Sequence, residues 1–421
     1  MNVPTAPASQ FDLQETGERQ GIGEALSRYW ERVKGGDIGS LPAIIGVVVL
    51  VLIFGILEGD TFLTANNFAN LINQGAAIMV LAMGLVFVLL LGEIDLSAGF
   101  TAGMGAAILA VTLTNHGWAW PLSILASLAA GVAIGFAIAV LVARLGIPSF
   151  VVTLAFFLAL QGGMLLIIGE GGTIPIRSEA VLSVMNENMP VVLGLLLAVI
   201  VVGGFAAATY LAIQRRRKAG LSAEAMSVWA AKVALLAVVV FVAVALLNQE
   251  RQRETSTIVI QGVPWVVPLV AALVVGLSFA LTRTAFGRHV YAVGGNAEAA
   301  RRAGINVPNI KTTCFVIGSV LAVVAGILIA SRDNSVSPTT GGAQTLLYAV
   351  GAAVIGGTSL FGGRGRVYDA VTGGLVVAVI ANGLPLVTQK SGTQFIVNGA
   401  VLLVAASVDA LSRKRAAATG R

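Results

Sequence analysis

Two carboxylates interrupt one of the most apolar parts of this sequence. Glu93 and Asp95 lie in residues 92–99, GEIDLSAG, between long runs of aliphatic residues. An ionisable side chain at membrane depth is costly, so it must face protein or water. Asp95 can cap a helix that restarts after a break, or it can contact a solute that crosses the membrane. We assign Glu93, Asp95, Ser97 and Gly99 to a helix break or a translocation path; a proton relay through both carboxylates is a further alternative.

A second stretch, residues 284–305, combines glycines and charges in a pattern typical of a short surface helix. The residues from Ala297 to Ala303 are good helix formers. Asn296 suits the N-cap and Gly304 suits the C-terminal end. We predict an amphipathic helix that docks a cytoplasmic partner, and a plain surface helix is the alternative. The residues assigned to this coupling element are Gly294, Gly295, Asn296, Glu298, Arg301, Arg302 and Gly304.

A third stretch, residues 354–366, reads VIGGTSLFGGRGR. Glycine-rich backbone followed by arginines can bind phosphate, but the P-loop lysine and the strand before it are missing. We therefore interpret the stretch as tight packing at the end of a re-entrant helix. Its structural glycines are Gly356, Gly357, Gly362 and Gly363.

Motifs of common enzymes do not occur in this chain. There is no G-x-x-x-x-G-K-[ST] loop, no G-x-S-x-G elbow and no H-E-x-x-H helix. His116 and His289 are far apart, so they do not suggest a metal site, and the single cysteine, Cys314, excludes a disulfide within one chain. We predict a protein that is not an enzyme and holds no cofactor or metal of its own.

The composition indicates that lipid solvates most of the chain. Apolar residues make up 57% and charged residues 11% of the 421 residues, whereas a soluble domain has about 25% charged residues. The mean hydropathy is +0.91. The net charge of +6 is explained by basic loops on one side of a membrane, so we expect no nucleic-acid partner.

Apolar segments long enough to cross a bilayer occur twelve times along the chain. They are 41–57, 76–91, 99–113, 121–143, 150–168, 190–213, 228–247, 264–282, 312–330, 346–360, 369–388 and 394–411. Segments 76–91, 99–113 and 346–360 are short, and broken or re-entrant helices there would reduce the count. We predict an all-α polytopic bundle of about 10–12 transmembrane helices.

Basic residues orient these spans. With the N-terminus inside, 20 of the 26 Lys and Arg fall in inner segments and five in outer loops, with Lys232 near an inner end. Both termini are then cytoplasmic. We expect cytoplasmic tails at 1–40 and 412–421 and a membrane domain at 41–411. Within that domain, 190–247 forms an extra helix pair and 283–311 a cytoplasmic coupling loop.

In this order, the three motifs resemble those of the permease subunits of bacterial ABC importers for monosaccharides. Members of that family carry a GIDLSVG-like break, a YAxGGNxxAAxxxGI loop and a ViGGTSLxGGxGr segment. The counterparts here are 92–99, 291–305 and 354–366, and PSFVVTL at 148–154 is similar to the family's PxFIvTL. The resemblance covers roughly residues 60–390.

There are two departures from the family pattern. Glu93 stands where the family usually has glycine, which leaves the role of its carboxylate open. The pair at 190–247 exceeds the common ten-helix pattern, and longer members of this kind are most similar to the D-xylose or multiple-sugar permeases.

The resemblance implies a transport machine in the bacterial inner membrane. A permease homodimer would form the path for a pentose such as xylose, or a broader aldose. A cytoplasmic ABC ATPase subunit would bind ATP and Mg²⁺, and a periplasmic sugar-binding protein would deliver the sugar. A secondary active transporter, or an ABC permease for amino acids or nucleosides, is the alternative.

Cysteine labelling tests the orientation. Arg216→Cys and Glu298→Cys should both resist membrane-impermeant thiol reagents in intact cells, because the charge asymmetry places both positions inside. Both cysteines should react once the cells are permeabilised, which controls for their reactivity. Ready labelling of both positions in intact cells would contradict the predicted orientation.

Overall fold

The structure is a computed structural model that describes residues 39–221, 223–251 and 259–418, together with Gly23 and Ser27. Nearly all of the predicted tail at 1–40 therefore lies outside the described residues, as do residues 419–421. Two units are separable in the chain, and each is described by itself. One contains residues 192–245, and the other contains residues 35–191 and 246–421.

The described residues are mostly helical. The first helices are α1 (Leu41–Leu57), α2 (Gly59–Phe62), α3 (Ala65–Leu90), α4 (Ala98–Ala110), α5 (Trp120–Ala139), α6 (Ser149–Ile168), α7 (Glu179–Asn186), α8 (Val191–Lys218) and α9 (Met226–Leu247). The remaining helices are α10 (Val266–Arg283), α11 (Ala285–Gly295), α12 (Ala297–Arg302), α13 (Val307–Asp333), α14 (Gly342–Gly356), α15 (Val367–Val387) and α16 (Ser391–Ala418). One π-helical turn follows α4 and another follows α5, at Val111–Asn115 and Val140–Arg144. Two short strands, β1 (Ile174–Pro175) and β2 (Ser335–Val336), pair antiparallel.

The helices confirm the prediction of an all-α polytopic membrane bundle. Within the described residues, nine helices are long and apolar enough to cross a membrane, and α1 and α14 are shorter apolar helices. All twelve predicted segments overlap a helix. Proline stands in the first turn of α1, α5 and α13, where its missing N–H breaks no helical hydrogen bond.

Some predicted boundaries were wrong, for identifiable reasons. The helix that contains the predicted span 76–91 begins earlier, at Ala65. The prediction started too late because the first turns of α3 are rich in amide side chains, which lower the local hydropathy. The span predicted at 312–330 begins at Val307, where Asn306 accepts a hydrogen bond from the Asn309 amide as N-cap. Helix α16 continues to Ala418, through most of the predicted tail at 412–421.

Helix α3 lies at the centre of the larger unit. Its residues from Val80 to Leu90 are almost completely buried, and α13, α14 and α15 pack against it. Helices α1 and α6 instead keep large aliphatic side chains on their outer sides, such as Ile56 and Leu166, which are 81% and 89% exposed. Lipid can solvate such side chains, so the outer helices shield α3 from the bilayer.

Two groups of loops define opposite ends of this unit. At one end β1 pairs with β2, and Asn186 Nδ2 donates to Asn334 Oδ1 at 2.7 Å. At the other end residues 92–99, 291–305 and 354–366 meet. We call these ends the strand face and the motif face. The loops group as the charge pattern predicts, and which face is cytoplasmic stays a prediction.

The smaller unit consists of α8, α9 and the turn between them. Trp229 Nε1 donates to Thr209 Oγ1 at 3.0 Å, and the Trp229 ring lies 5.7 Å from that of Tyr210. Lys232 forms an ion pair with Glu224 near the turn. These contacts join the two long apolar helices close to the turn between them. The basic run 215–218 forms the end of α8, just before that turn.

A reciprocal amide pair joins α3 to α15 near the strand face. Asn67 Nδ2 donates to Asn382 Oδ1 at 2.8 Å, and Asn382 Nδ2 donates to Asn67 Oδ1 at 2.9 Å. Asn67 Nδ2 also reaches Phe62 O at 3.0 Å. Both side chains are buried, so removal of one leaves the amide of the other without its partner.

Leucine substitutions should measure this amide pair. We expect Asn67→Leu and Asn382→Leu each to lower the free energy of unfolding in detergent by about 1–3 kcal/mol, because each orphans a buried amide. Asn67→Leu should cost more, since it also loses the bond to Phe62. The double variant should cost less than the two single costs added together. Asn66→Leu, at an exposed neighbouring position, is the control, and strictly additive losses would contradict the pairing.

Candidate functional site

The three sequence motifs meet at the motif face. The amide of Gly363, in the third motif, donates to Leu90 O at the end of α3, with an N–O distance of 2.9 Å. Tyr291, at the start of the second motif, donates its hydroxyl to Gly365 O at 2.8 Å. Burial and the nearby Asp369 carboxylate raise the pKa of Tyr291, so its proton stays available for this bond. Segments as far apart in the chain as Leu90 and Gly363 thus form one junction.

Glycine makes this junction possible. A Cβ at Gly294 would lie 1.8 Å from Leu90 O and 2.8 Å from the Gly363 amide nitrogen, so no larger residue fits there. Gly362 has a φ of +84°, and a Cβ on it would lie 2.9 Å from Gly294 O. The two glycines let the three backbones touch directly. We call this contact the glycine junction.

The glycine junction argues against phosphate binding by the third motif. A phosphate cradle needs free backbone amides that point at the ligand. The Gly363 amide instead donates to Leu90 O, and the Ser359 amide donates to Arg364 O at 2.9 Å. Helix α14 ends at Gly356, where a Cβ would lie 1.8 Å from Asp369 O, and Gly357 follows with a left-handed φ. The loop therefore packs against protein, and the re-entrant character of the helix before it stays a prediction.

Asp95 stabilises the restart of the helix after the break. Its Oδ1 accepts from the Ser97 amide at 2.8 Å and from Ser97 Oγ at 2.6 Å. Helix α4 begins at Ala98, so its N-cap is Ser97. The sequence suggested Asp95 as the N-cap, and that assignment was wrong. Asp95 is only 2% exposed and Ser97 is fully buried. Gly99, one turn further, lies against Gly342 O, which a Cβ would approach to 2.2 Å.

The 148–154 segment supplies further partners for the break. Ser149 Oγ accepts from the Ile94 amide at 3.2 Å, and Thr153 Oγ1 donates to Ile94 O at 3.2 Å. The sequence marked this segment only through its family resemblance and gave no role to these hydroxyls. The available signal for this role was the pair of hydroxyl residues one turn apart at the start of an apolar helix.

Glu93 pairs with Lys311. Lys311 lies in the second turn of α13, just after the coupling element, and the two side chains are 16% and 21% exposed. This ion pair joins the helix break to the helix that follows α12. The carboxylate that departs from the family pattern therefore has a partner in this chain.

The coupling element forms two helices rather than one. Gly294 and Gly295 end α11, and Asn296 accepts from the Ala299 amide at 2.9 Å as N-cap of α12. Gly304 follows α12 with a φ of +86°, so both predicted caps are confirmed. Gly295 and Gly304 have open space around them, unlike Gly294.

Helix α12 presents a compact charged surface. Glu298 binds Arg301 at 2.5 Å and Arg302 at 3.1 Å. The hydrogen bond from Arg301, and then that from Arg302, lower the pKa of Glu298 below its usual range. All three side chains are at least half exposed, so they remain accessible to a partner.

A polar cavity near the strand face was not predicted. It has a volume of about 630 Å³ and lies among α3, α7, α13, α14 and α15. Amide and hydroxyl groups that line it include those of Asn70, Asn73, Gln74, Gln344, Thr345 and Tyr348. The spacing of the three α3 amides, i, i+3 and i+4, places them on one helix face. That spacing was the available signal, but the hydropathy of the segment concealed it.

A family model for the branched-chain amino acid transport system / permease component matches residues 67–178 and 176–406. The chain belongs to this permease family. It is 36% identical over 372 residues to the xylose transport system permease protein XylH of Escherichia coli (strain K12), covering 88% of this chain and 92% of that protein.

Two further relatives show the same extended similarity. The xylose transport system permease protein XylH of Haemophilus influenzae (strain ATCC 51907 / DSM 11121 / KW20 / Rd) is 34% identical over 88% of this chain and 96% of its own length. The ribose import permease protein RbsC of Escherichia coli (strain K12) is 29% identical over 87% of this chain and 92% of its own length. No solved structure matches the chain. Family membership confirms the resemblance carried by the motifs, and the bundle is that of a multi-pass membrane permease.

A double-mutant cycle tests the Glu93–Lys311 pair. Glu93→Gln and Lys311→Met should each lower the free energy of unfolding in detergent by about 1–3 kcal/mol, because each leaves a largely buried charge without its partner. The swapped variant, Glu93→Lys with Lys311→Glu, should recover part of that loss.

The exposed pair Lys232–Glu224 provides the control for this cycle, with an expected coupling of about 0.2–1 kcal/mol. A coupling at Glu93–Lys311 no larger than the control value would mean that the pair does not hold the break to α13.

Proposed function

We propose that the chain is the permease subunit of an ABC importer that carries a monosaccharide across the inner membrane, with xylose as the first substrate to test. The similarity to xylose permeases over nearly the whole chain carries this proposal. The ribose permease is a more distant relative, so a pentose is favoured as substrate over other solutes.

The cavity near the strand face favours a neutral solute over an amino acid. An amino acid brings an ammonium and a carboxylate, and both need charged or strongly polar partners away from water. The only charged side chain that lines the described cavity belongs to Arg332, which already pairs with Asp333 at 2.8 Å. The same shortage of charge disfavours a transporter coupled to protons or sodium.

The motif face is proposed to be cytoplasmic and to dock the ATPase through α12. The positive-inside distribution of Lys and Arg supports this orientation, with both termini on the same side. A periplasmic sugar-binding protein would then dock on the strand face, and two copies of the chain would form the path. These partners come from the family resemblance, and the exposed charges of α12 suit an interface that forms and releases.

Reconstitution of the chain with the ATPase and binding protein of its own genome tests this function. Proteoliposomes should take up D-xylose only with ATP, and excess D-ribose should compete better than L-leucine. Uptake without ATP but with a proton gradient would favour a secondary transporter instead. Uptake of L-leucine in preference to either sugar would identify an amino-acid permease.

Charge reversal of α12 tests the docking step. The triple variant Glu298→Lys, Arg301→Glu, Arg302→Glu retains opposite charges within the helix but inverts its surface. We expect sugar uptake and sugar-stimulated ATP hydrolysis to fall about tenfold or more, which corresponds to about 1.4 kcal/mol at an interface. Swapping the exposed pair Glu224 and Lys232 is the matched control. Normal coupled uptake by the triple variant would place ATPase docking elsewhere.

A further inference from the structure

The cavity near the strand face is formed where the polar half of α3 meets α14. Helix α3 contributes Asn70, Asn73 and Gln74, and α14 contributes Gln344, Thr345 and Tyr348. Its volume of about 630 Å³ falls in the range of about 300–1,000 Å³ that small-molecule sites have. A monosaccharide with part of its hydration shell fits such a space.

Several polar groups at this cavity have no hydrogen-bond partner within the part of the chain that the structure describes. Among the described residues, the side chains of Asn70, Asn73, Gln74 and Thr345 make no hydrogen bond to another residue. Asn73 Oδ1 is also buried from solvent. An unpaired buried amide is costly, the more so within a membrane protein. The unpaired amides of α3, together with the Thr345 hydroxyl of α14, therefore indicate a surface built to bind something else.

Tyr348 is held in place beside these groups. Its hydroxyl accepts from Gln344 Nε2 at 2.9 Å and from Asn398 Nδ2 at 2.8 Å. Two accepted bonds fix the ring position and leave the phenol proton available for donation. The ring also offers a flat apolar surface next to the amides.

The cavity is closed on the side that faces the centre of the bundle. Its apolar lining consists of Ala77, Ile78, Met185, Ile329 and Ala381. Beyond Ala77, the residues of α3 from Val80 to Leu90 are almost completely buried. The residues that the sequence assigned to a path, Glu93 to Gly99, lie beyond this packed segment at the motif face. They do not line the cavity.

The chemistry of the lining matches hydroxyl groups better than ions. Each amide side chain supplies a donor and an acceptor, and each sugar hydroxyl does the same. Only Arg332 brings charge, and Asp333 pairs with it. A cavity lined by amide groups, the Thr345 hydroxyl and the Tyr348 ring favours a neutral polyhydroxylated ligand.

We propose that Asn70, Asn73, Gln74, Thr345 and Tyr348 form a sugar-binding subsite that receives the monosaccharide on its way through the permease. This subsite rests on the proposed function, because its ligand is the solute that the importer carries. It binds through neutral hydrogen-bonding groups and an aromatic ring, so it tolerates several aldoses and excludes charged solutes. The α3 amides supply the hydrogen bonds nearest to the closed end of the cavity.

The test uses the complete transporter in proteoliposomes and compares D-xylose taken up with ATP hydrolysed. The variant Asn73→Leu with Gln74→Leu should lower uptake about tenfold, because two or more hydrogen bonds to the sugar are lost. ATP hydrolysis stimulated by the binding protein should change far less, since docking occurs on other surfaces. The number of sugars carried per ATP therefore falls, which a merely destabilised protein would not show.

Three further variants make the test specific. Asn66→Leu, an exposed position on the same helix that does not line the cavity, should leave uptake unchanged. Asn73→Gln keeps an amide and should retain more uptake than Asn73→Leu. The Asn70 side chain is exposed, so Asn70→Leu should not disturb folding. It should therefore still reveal a loss of uptake if the double variant does not accumulate in the membrane.

The outcomes separate the subsite from the proposed function. If the wild-type complex carries no sugar, the proposed function fails. If the wild type carries sugar and the variants at Asn70, Asn73 and Gln74 keep a normal sugar-to-ATP ratio, the subsite alone is overturned. A lower ratio in these variants, with normal behaviour of Asn66→Leu, supports it.

Discussion

The break between α3 and α4 imposes the constraint on which the motif face depends. A helix that stops near the membrane boundary exposes carbonyls at one end and amides at the other, and lipid cannot satisfy them. Gly363 binds the carbonyl of Leu90, the Ser149 and Thr153 hydroxyls bind Ile94, and Asp95 binds the Ser97 amide. The break thus draws its partners from two remote segments, 149–153 and the third motif, and from Asp95 within the break itself. Each partner reaches hydrogen-bond distance of the backbone at the break, either through a polar side chain or because glycine lets two backbones come close.

The same constraint links the surface helix α12 to the centre of the bundle. Gly294 ends α11 directly against Leu90 O, so the coupling element and α3 are in backbone contact. On the other side of α12, Lys311 of α13 pairs with Glu93 in the break. A displacement of α12 would therefore reach α3 and α13 together, through backbone packing and an ion pair. Such rigid contacts transmit motion because packed backbones cannot deform continuously.

Much of this arrangement could be predicted from the sequence, and the remainder could not for physical reasons. Hydropathy located the twelve apolar segments, and cap preferences placed α12 between Asn296 and Gly304. Local signals cannot tell which distant backbone a glycine will touch, so Gly294 and Gly295 looked equivalent although only Gly294 is in close contact. Lys311 was counted only as a basic residue of an inner loop, since its pairing with Glu93 depends on tertiary structure.

The polar start of α3 was overlooked because hydropathy treats an amide as a reason to end a span. In the structure Asn67 pairs with Asn382, and Asn70, Asn73 and Gln74 in the next turns line the cavity. From Gly75 onward the helix is apolar and buried, so it continues across the membrane despite its amides. The spacing of polar residues along the helix, rather than average hydropathy, is therefore the informative signal for a helix that lines a polar cavity on one side.

Helix α3 thus combines two surfaces with opposite properties. Its first half carries Asn70, Asn73 and Gln74, whose amides have no hydrogen-bond partner among the described residues, whereas its second half is apolar, buried on all sides and anchored by the glycine junction. Under the proposed function, a sugar that leaves the cavity toward the motif face must pass this packed half. Side-chain rotation alone cannot open a path there, because the glycine junction is made of backbone contacts. The path must open by movement of whole helices. The coupling element contacts α3 through Gly294 and leads directly into α13, so it is the surface element through which that movement can be driven.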